Sequence, residues 1–379
     1  MNKILICPDS FKGTLTAIEV ADIIAEEIKK SFPSCVIKKM PIADGGEGSL
    51  ETIVSTIPSR IVSFEAERAD QVVGTSKYAI TDTGTAIIEL AEICGITKQV
   101  VLNPLTSNTY GFGQAIKDAF EKGIRNFILC IGGSASTDAG CGMASVLGAK
   151  FYDGKEQEIR PCGANLTQIK KVDLSDLHPA IKESKFIVMC DVKNPLYGEN
   201  GAAYVYGPQK GASKEDILLL DEGLKNFNTI AKQMGNQDFS KEEGSGAAGG
   251  LGAGCIFFLN AKLQSGIETI LKLNQFDEVV KDVDLIITGE GKVDSQSLSG
   301  KVMSGILNHA KGKKVIVLCG KNDLDQKEAQ KHHLEIYELS EGVSQQEAIA
   351  NPRYYLIATL LRLMEDYKKK VAQSLVKES

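Results

Sequence analysis

The chain has 379 residues, 43% hydrophobic and 24% charged, with a net charge of −6. That length predicts two domains at roughly 150 residues each, and the composition excludes a disordered chain. The acidic balance leaves no electrostatic footprint for DNA or RNA, so no nucleic-acid partner is expected.

Smaller counts narrow the chemistry. There are four His (His178, His309, His332, His333) and no HExxH, so carboxylates, lysines and backbone amides must carry any catalysis. The nine Cys never form CxxC, and Cys7, Cys130 and Cys319 sit inside apolar runs, as core thiols of a cytoplasmic protein would. Neither a signal-peptide apolar region nor an apolar run of roughly 20 residues is present, so no membrane association is expected. Gly is in surplus, at 37 residues, and it clusters beside Asp, Ser and Lys. Such clusters mark backbone that turns sharply or approaches a ligand.

In chain order, KILIC (3–7) reads as a buried strand ended by Pro8. Thr16-Ala-Ile-Glu19 has capping-box spacing and starts a helix with Ile18, Ala21, Ile24, Ala25 and Ile28 at helical intervals. A second strand follows over Cys35–Met40, then a helix from about Glu47 to before Pro58. Residues 72–91 hold shorter alternating segments, SKYAI and TAIIEL, that predict a hairpin. A helix is expected over 111–123, and strands at NFILCI (126–131), KFIVMC (185–190) and AAYVY (202–206). A capped helix starts at Ser213 and runs to about Gly235. Strand–helix alternation then returns with VDLIIT (283–288), a helix over 301–310, KKVIVLCG (313–320), EIYEL (335–339) and a C-terminal helix from about Arg353. The ends thus share a parallel-sheet pattern that the middle lacks. The expected fold class is α/β, with a discontinuous Rossmann-like parallel-sheet domain (1–71 and 284–379), an inserted mixed α/β domain (72–283), and a cleft between them.

Six Gly-rich polar loops adjoin the strands, where ligands of open α/β sheets bind. PDSFKG (8–13) brings Lys12 toward a phosphate, or is a plain exposed turn. ADGGEG (43–48) sets Asp44 and Glu47 around a Gly pair, suited to Mg²⁺ or a hydroxyl. IGGSASTDAG (131–140) presents amides and hydroxyls to an anion, with Asp138 either orienting a hydroxyl or capping a helix. The stretch 191–212 carries Asp191, Lys193 and Asn194 in one turn, then Lys210, a pattern of proton acceptor beside metal-binding Asn, or else an Asx-turn and a solvated lysine. EGSGAAGGLGAG (243–254) contains a formal GxGxxG, but no apolar strand precedes it; a Gly/Ala helix packed against another backbone is the alternative. TGEGKVDSQSLSGK (288–301) sets Glu290, Lys292, Asp294 and Lys301 where a metal–polyphosphate complex would have partners, or where surface ion pairs would form. It is not a Walker A loop, since Val302 follows Lys301.

These six motifs together, in this order from Pro8 to Lys301, resemble the bacterial glycerate kinase family over nearly the whole chain. The family motif GGSATNDGG departs here at Ser136, Thr137 and Ala139, with Asp138 kept, and ADGGEGT ends in Ser49. The resemblance implies ATP-dependent, Mg²⁺-assisted phosphorylation of D-glycerate, with 2-phosphoglycerate as product and 3-phosphoglycerate still open. It implies two α/β domains, in agreement with the pattern above. On residue chemistry and motif position, Asp191 is the first candidate for the proton-accepting carboxylate and Asp138 the second. Lys12 and Lys301 would hold phosphate, while Asp44, Glu290 and Asp294 would hold Mg²⁺. Ser134 and its neighbouring amides would bind the glycerate carboxylate, and Ser10, Gly45, Gly46, Asn194, Lys210 and Lys292 complete the expected binding set. A homo-oligomer is compatible with all of this. Two other readings stand beside it: an NAD-linked hydroxy-acid dehydrogenase, motivated by GSGAAG, and a non-catalytic ligand sensor, motivated by the acid-rich loops but without a visible DNA-binding or partner-binding segment.

Overall fold

In a computed structural model describing residues 2–235, 238–298, 302–332 and 334–377, the chain divides into two compact units. The first unit comprises Met1–Ala43, Ser55–Ile57 and Ile267–Ser379; the second comprises Asp44–Val54 and Pro58–Gly266. The strands in chain order are β1 (Lys3–Ile6), β2 (Val36–Lys39), β3 (Ser59–Glu67), β4 (Val73–Thr81), β5 (Thr85–Glu89), β6 (Asn126–Cys130), β7 (Lys150–Tyr152), β8 (Lys171–Asp173), β9 (Lys185–Met189), β10 (Lys262–Gln264), β11 (Leu285–Val293), β12 (Lys314–Asn322) and β13 (Glu335–Glu338).

The first unit holds a sheet in the order β13-β12-β11-β1-β2, parallel throughout. Ile4-Leu5-Ile6 and Leu285-Ile286-Ile287 are buried, as parallel strands covered on both faces must be. Helix Ala17–Ser31 starts at the expected capping box, in which Thr16 N donates to the Glu19 carboxylate (2.8 Å). The helix buries Val20, Ile24 and Ile28 in one cluster with Leu356, Leu360 and Leu363 of helix Pro352–Lys377. Each such aliphatic side chain contributes roughly 1.5–3 kcal/mol through burial. Counted within the unit, the strand order is 2-1-3-4-5, which reverses between β1 and β11. This is the five-strand doubly wound order rather than the six-strand dinucleotide-binding one, and its switch point lies between β1 and β11.

The second unit holds a six-stranded sheet, β10-β9-β6-β5-β4-β3. β10, β9, β6 and β5 are parallel, and β4 and β3 run antiparallel at the other edge. The hairpin expected over 72–91 is β4–β5. β3 is an addition that the sequence reading did not contain, and it pairs along its whole length with β4. Residue 71, where the domain boundary was expected, therefore lies in a hairpin turn of the second unit, with Gln71 at φ 68°.

Two local expectations need correction or detail. AAYVY is not a strand but the helix Ala202–Tyr206. Ala202 and Ala203 are buried while Tyr204 and Val205 are exposed, the two-in, two-out order of a helix face. The stretch 243–254 enters a Gly/Ala helix, Ala247–Leu259, broken at Ala248, Gly249 and Gly250, whose φ values are 53°, 71° and 88°. Turns and not a strand precede it, so the strand–turn–helix context of a dinucleotide fingerprint is missing.

Candidate active site

Because β5, β6, β9 and β10 are parallel, their C-terminal ends share one edge of the second unit's sheet. Asp191 follows β9 on that edge and is half-buried. Its Oδ1 accepts from Ser265 Oγ (2.9 Å) and Gly266 N (2.9 Å), both just past β10. The ADGGEG loop packs against the same edge through its backbone, where Gly132 N, past β6, donates to Gly45 O (2.9 Å). Glycine is required for this closeness. A Cβ on Gly132 would lie 2.6 Å from Gly46 Cα, and one on Gly266 would lie 2.6 Å from Asp44 O and 2.8 Å from Asp191 Oδ2. Asp44, Gly45, Gly46, Gly132 and Asp191 are thereby brought together. Asp44 Oδ1 accepts from Gly46 N (3.0 Å), which shapes the loop locally.

Glu89 ends β5 and was absent from the sequence reading, although a lone carboxylate closing an apolar strand is a visible signal. It is 3% exposed. Its carboxylate accepts from Gly48 N (3.0 Å) and Leu50 N (2.7 Å), tying the ADGGEG loop and helix Ser49–Val54 to the sheet. Burial raises the Glu89 carboxyl to about 7 against the pull of those two amides, with Glu92 and Glu47 adding repulsion. A raised carboxyl means the folded protein binds the extra proton between its ordinary value of 4.5 and about 7. Stability from this group is thus full below about pH 4.5 and is lost as pH rises through about 7. Relative to Glu89→Gln, the wild-type melting temperature is expected to fall from pH 5 to about pH 8; parallel melting curves would contradict this.

The 131–140 loop is mostly an internal structure. Asp138 is 0% exposed. Its Oδ2 accepts from Thr109 N (2.8 Å), Thr109 Oγ1 (2.8 Å) and Gly142 N (3.1 Å), and its Oδ1 from Ser136 Oγ (3.2 Å) and Gly140 N (3.3 Å). The carboxylate joins the starts of helices Tyr110–Glu121 and Cys141–Val146. With no surface and five donors, the carboxylate braces the two helix starts from within the loop; it is not itself an N-cap, since Gly140 caps helix Cys141–Val146 and Thr109 caps helix Tyr110–Glu121. Ser134 is 3% exposed, and its Oγ accepts from Ser136 N (3.2 Å). What the loop exposes is Gly133, with Gly132 half-buried beside it.

Two members of the 191–212 stretch are likewise turned inward. Asn194 accepts from Tyr206 OH (2.6 Å) at Oδ1 and donates through Nδ2 to Asn200 O (2.9 Å), so its amide braces its own loop. Lys210 is not solvated: it is 2% exposed, and its Nζ donates to Ser136 O.

In the first unit, the loops after β1 and along β11 meet at the switch point. Asp9 N donates to Gly289 O (2.8 Å), and Gly291 lies against Phe11 and Lys12. Ser10 is half-buried, its N donating to Asp9 Oδ1 (2.6 Å), and Lys12 is exposed. Glu290 and Asp294 are half-buried. Lys292 is exposed and pairs with Asp323 (3.0 Å) and Asp294 (3.6 Å), the surface-pair alternative. Lys301 lies outside the described residues. Asp44 belongs to the second unit, and Glu290 and Asp294 to the first. Among the described residues no group of three or more His, Cys, Asp or Glu could by itself hold a metal ion, and no helix is long and apolar enough to cross a membrane.

Comparison with known proteins bears on the family and the fold. The model of the glycerate kinase family matches residues 4–368. A glycerate kinase of Halalkalibacterium halodurans is 41% identical over 327 residues, 84% of this chain and 86% of its own. A glycerate 2-kinase of Escherichia coli K12 is 40% identical over 329 residues, 84% of this chain and 85% of its own. A crystal structure from Salmonella typhimurium LT2, named as a glycerate kinase 2, superimposes with a TM-score of 0.82 at 33% identity, covering 98% of this chain and 99% of that one.

Proposed function

The chain belongs to the glycerate kinase family and is a kinase with an alcohol acceptor, and from that premise we propose that it phosphorylates the 2-hydroxyl of D-glycerate with ATP, releasing 2-phosphoglycerate and ADP. The relative named for the 2-position supports that hydroxyl. The observation that carries the acceptor site is the carboxylate of Asp191, fixed by Ser265 and Gly266 beside the backbone of Asp44.

In this reading the acceptor's carboxylate lies against the amide of the exposed Gly133, the Gly132 amide being held by Gly45 O, and Ser134 shapes that segment from within. Asp191 takes the proton of the attacking hydroxyl as its oxygen bonds to the γ-phosphorus, while the bond from that phosphorus to the β-phosphate bridging oxygen breaks and ADP leaves. Lys12 and Lys301 would hold phosphate oxygens. Glu290 and Asp294 are hard oxygen donors of the kind that would hold Mg²⁺ together with phosphate oxygens and water, and Asp44 of the second unit is a carboxylate of the same kind. When bound, that ion offsets the charge gathering on the transferred group.

The test is ADP release by coupled assay with D-glycerate and MgATP, with phosphorus NMR of the product. Glycerate-dependent ADP and a 2-phosphoglycerate signal are expected. No glycerate-dependent turnover would reject the acceptor, and a 3-phosphoglycerate signal would reject the position.

A further inference from the structure

Lys210 is a buried cation that phosphoryl transfer does not use directly. It ends the short turn Pro208–Lys210, and the next residue, Gly211, has φ 88° and lies against Leu102 O. Two backbone segments converge on its Nζ. Ser136 O accepts its hydrogen bond. The left-handed break in helix Ala247–Leu259 brings Gly249 in from the other side, where a Cβ would meet both Ser136 O and, at 2.9 Å, the Nζ itself. Gly249 O in turn accepts from Ala139 N (3.1 Å). That helix carries no charged residue, and the Asp138 carboxylate is the charge that acts on Lys210. Beside Ser136, the Thr137 Oγ1 is buried with no hydrogen-bond partner among the described residues, so the layer is not an optimised polar core.

An apolar side chain of similar length would fill this space without the several kcal/mol that desolvating an ammonium costs. What the ammonium adds is a tether and a positive charge directly behind the loop 132–136. We propose that Lys210 is a positioning residue of the acceptor site, holding the Gly132–Ser136 loop through the Ser136 carbonyl and lending positive potential to the acceptor's carboxylate. The inference rests on the reading that this loop binds that carboxylate.

Burial lowers the Lys210 ammonium to about 7, with Asp138 opposing the shift. Its charge is therefore lost as pH rises past about 7, and an anion bound in the loop should restore it by proton uptake.

The experiment compares wild type with Lys210→Met across about pH 6 to 9. In the wild type, the KM for glycerate should rise on the alkaline side. Lys210→Met should raise that KM about tenfold at pH 6.5, abolish its alkaline rise, and leave the KM for ATP within about twofold. Calorimetry of glycerate binding to the wild type in buffers of different ionisation enthalpy should show proton uptake near pH 7.5, and this reads the proposal even if the variant does not fold. Gly133→Ala separates the two ideas, because at φ 73° its Cβ would press on Ala91 Cβ at 3.0 Å and so shift the loop without touching Lys210. Should Gly133→Ala raise the glycerate KM while Lys210→Met changes neither KM nor its pH dependence, the role of Lys210 is overturned and the loop reading stands. Should neither variant move it, the loop reading falls and this inference with it. An absence of proton uptake by the wild type overturns the role of Lys210.

Discussion

Asp191→Asn should lower kcat by about 10²-fold or more while the melting temperature and the KM for glycerate change little. The asparagine amide keeps the size and planarity of the carboxylate. Its oxygen can still accept from Ser265 Oγ and Gly266 N, the two donors that orient Asp191. What is lost is the second oxygen's basicity, which the reaction would need as the hydroxyl gives up its proton. Steady-state kinetics and a thermal melt on the same preparation check this. A fall in kcat of less than about tenfold in folded protein would remove Asp191 from the proton-accepting role and leave it as a scaffold for the turn after β9.

The largest effect on stability is expected at Asp138. Asp138→Ala withdraws the acceptor from Thr109 N, Thr109 Oγ1, Ser136 Oγ, Gly140 N and Gly142 N at once, all in a fully buried site. Each unsatisfied donor costs roughly 1–3 kcal/mol, but relaxation and an entering water recover part of it, so a net loss of about 3–5 kcal/mol is reasonable. The same change leaves Lys210 without its opposing charge. Asp138→Asn should cost less, and adding Lys210→Met to it should cost less than the sum of the two single changes, because the second partner is no longer stranded. Urea melts followed by circular dichroism measure all three. A loss below about 1 kcal/mol for Asp138→Ala would show that its five hydrogen bonds contribute little.

These expectations also mark where the sequence was legible. The capping boxes at Thr16 and Ser213 are local, since an oxygen and an amide three residues apart suffice, and both form as read. The apolar runs at 3–6, 126–130, 185–189 and 285–288 are strands because continuous apolar chemistry must be buried on both faces, but β11 continues to Val293 through Gly289-Glu290-Gly291-Lys292, which was expected as loop. The Gly-rich loops could be located because they follow those runs. AAYVY defeated the same reasoning, because five consecutive apolar residues carry no periodicity to separate helix from strand. β3 was missed because its pairing with β4 is set by a nine-residue register, which single-strand composition does not encode.

Burial inside the loops was the part beyond reach. Lys210, Asp138, Ser134 and Asn194 look, in the sequence, like groups offered to a ligand. Long-range packing turns Lys210 and Asp138 inward, Lys210 meeting Ser136 across 74 positions and Asp138 meeting Thr109 across 29, whereas Ser134 and Asn194 are engaged by Ser136, Asn200 and Tyr206 within their own stretches. Glu89 shows the converse, a residue with no motif around it that the fold sets under the ADGGEG loop from 41 positions away. By itself the sequence determined the family, the α/β class, the local caps and the loops that carry the chemistry, because these depend on residue type and short-range order. The tertiary structure alone decided which polar groups in those loops reach solvent and which brace the backbone. A buried charge is tolerated only where distant amides, carbonyls or counter-charges are brought to it, and their arrival is a property of the packed chain.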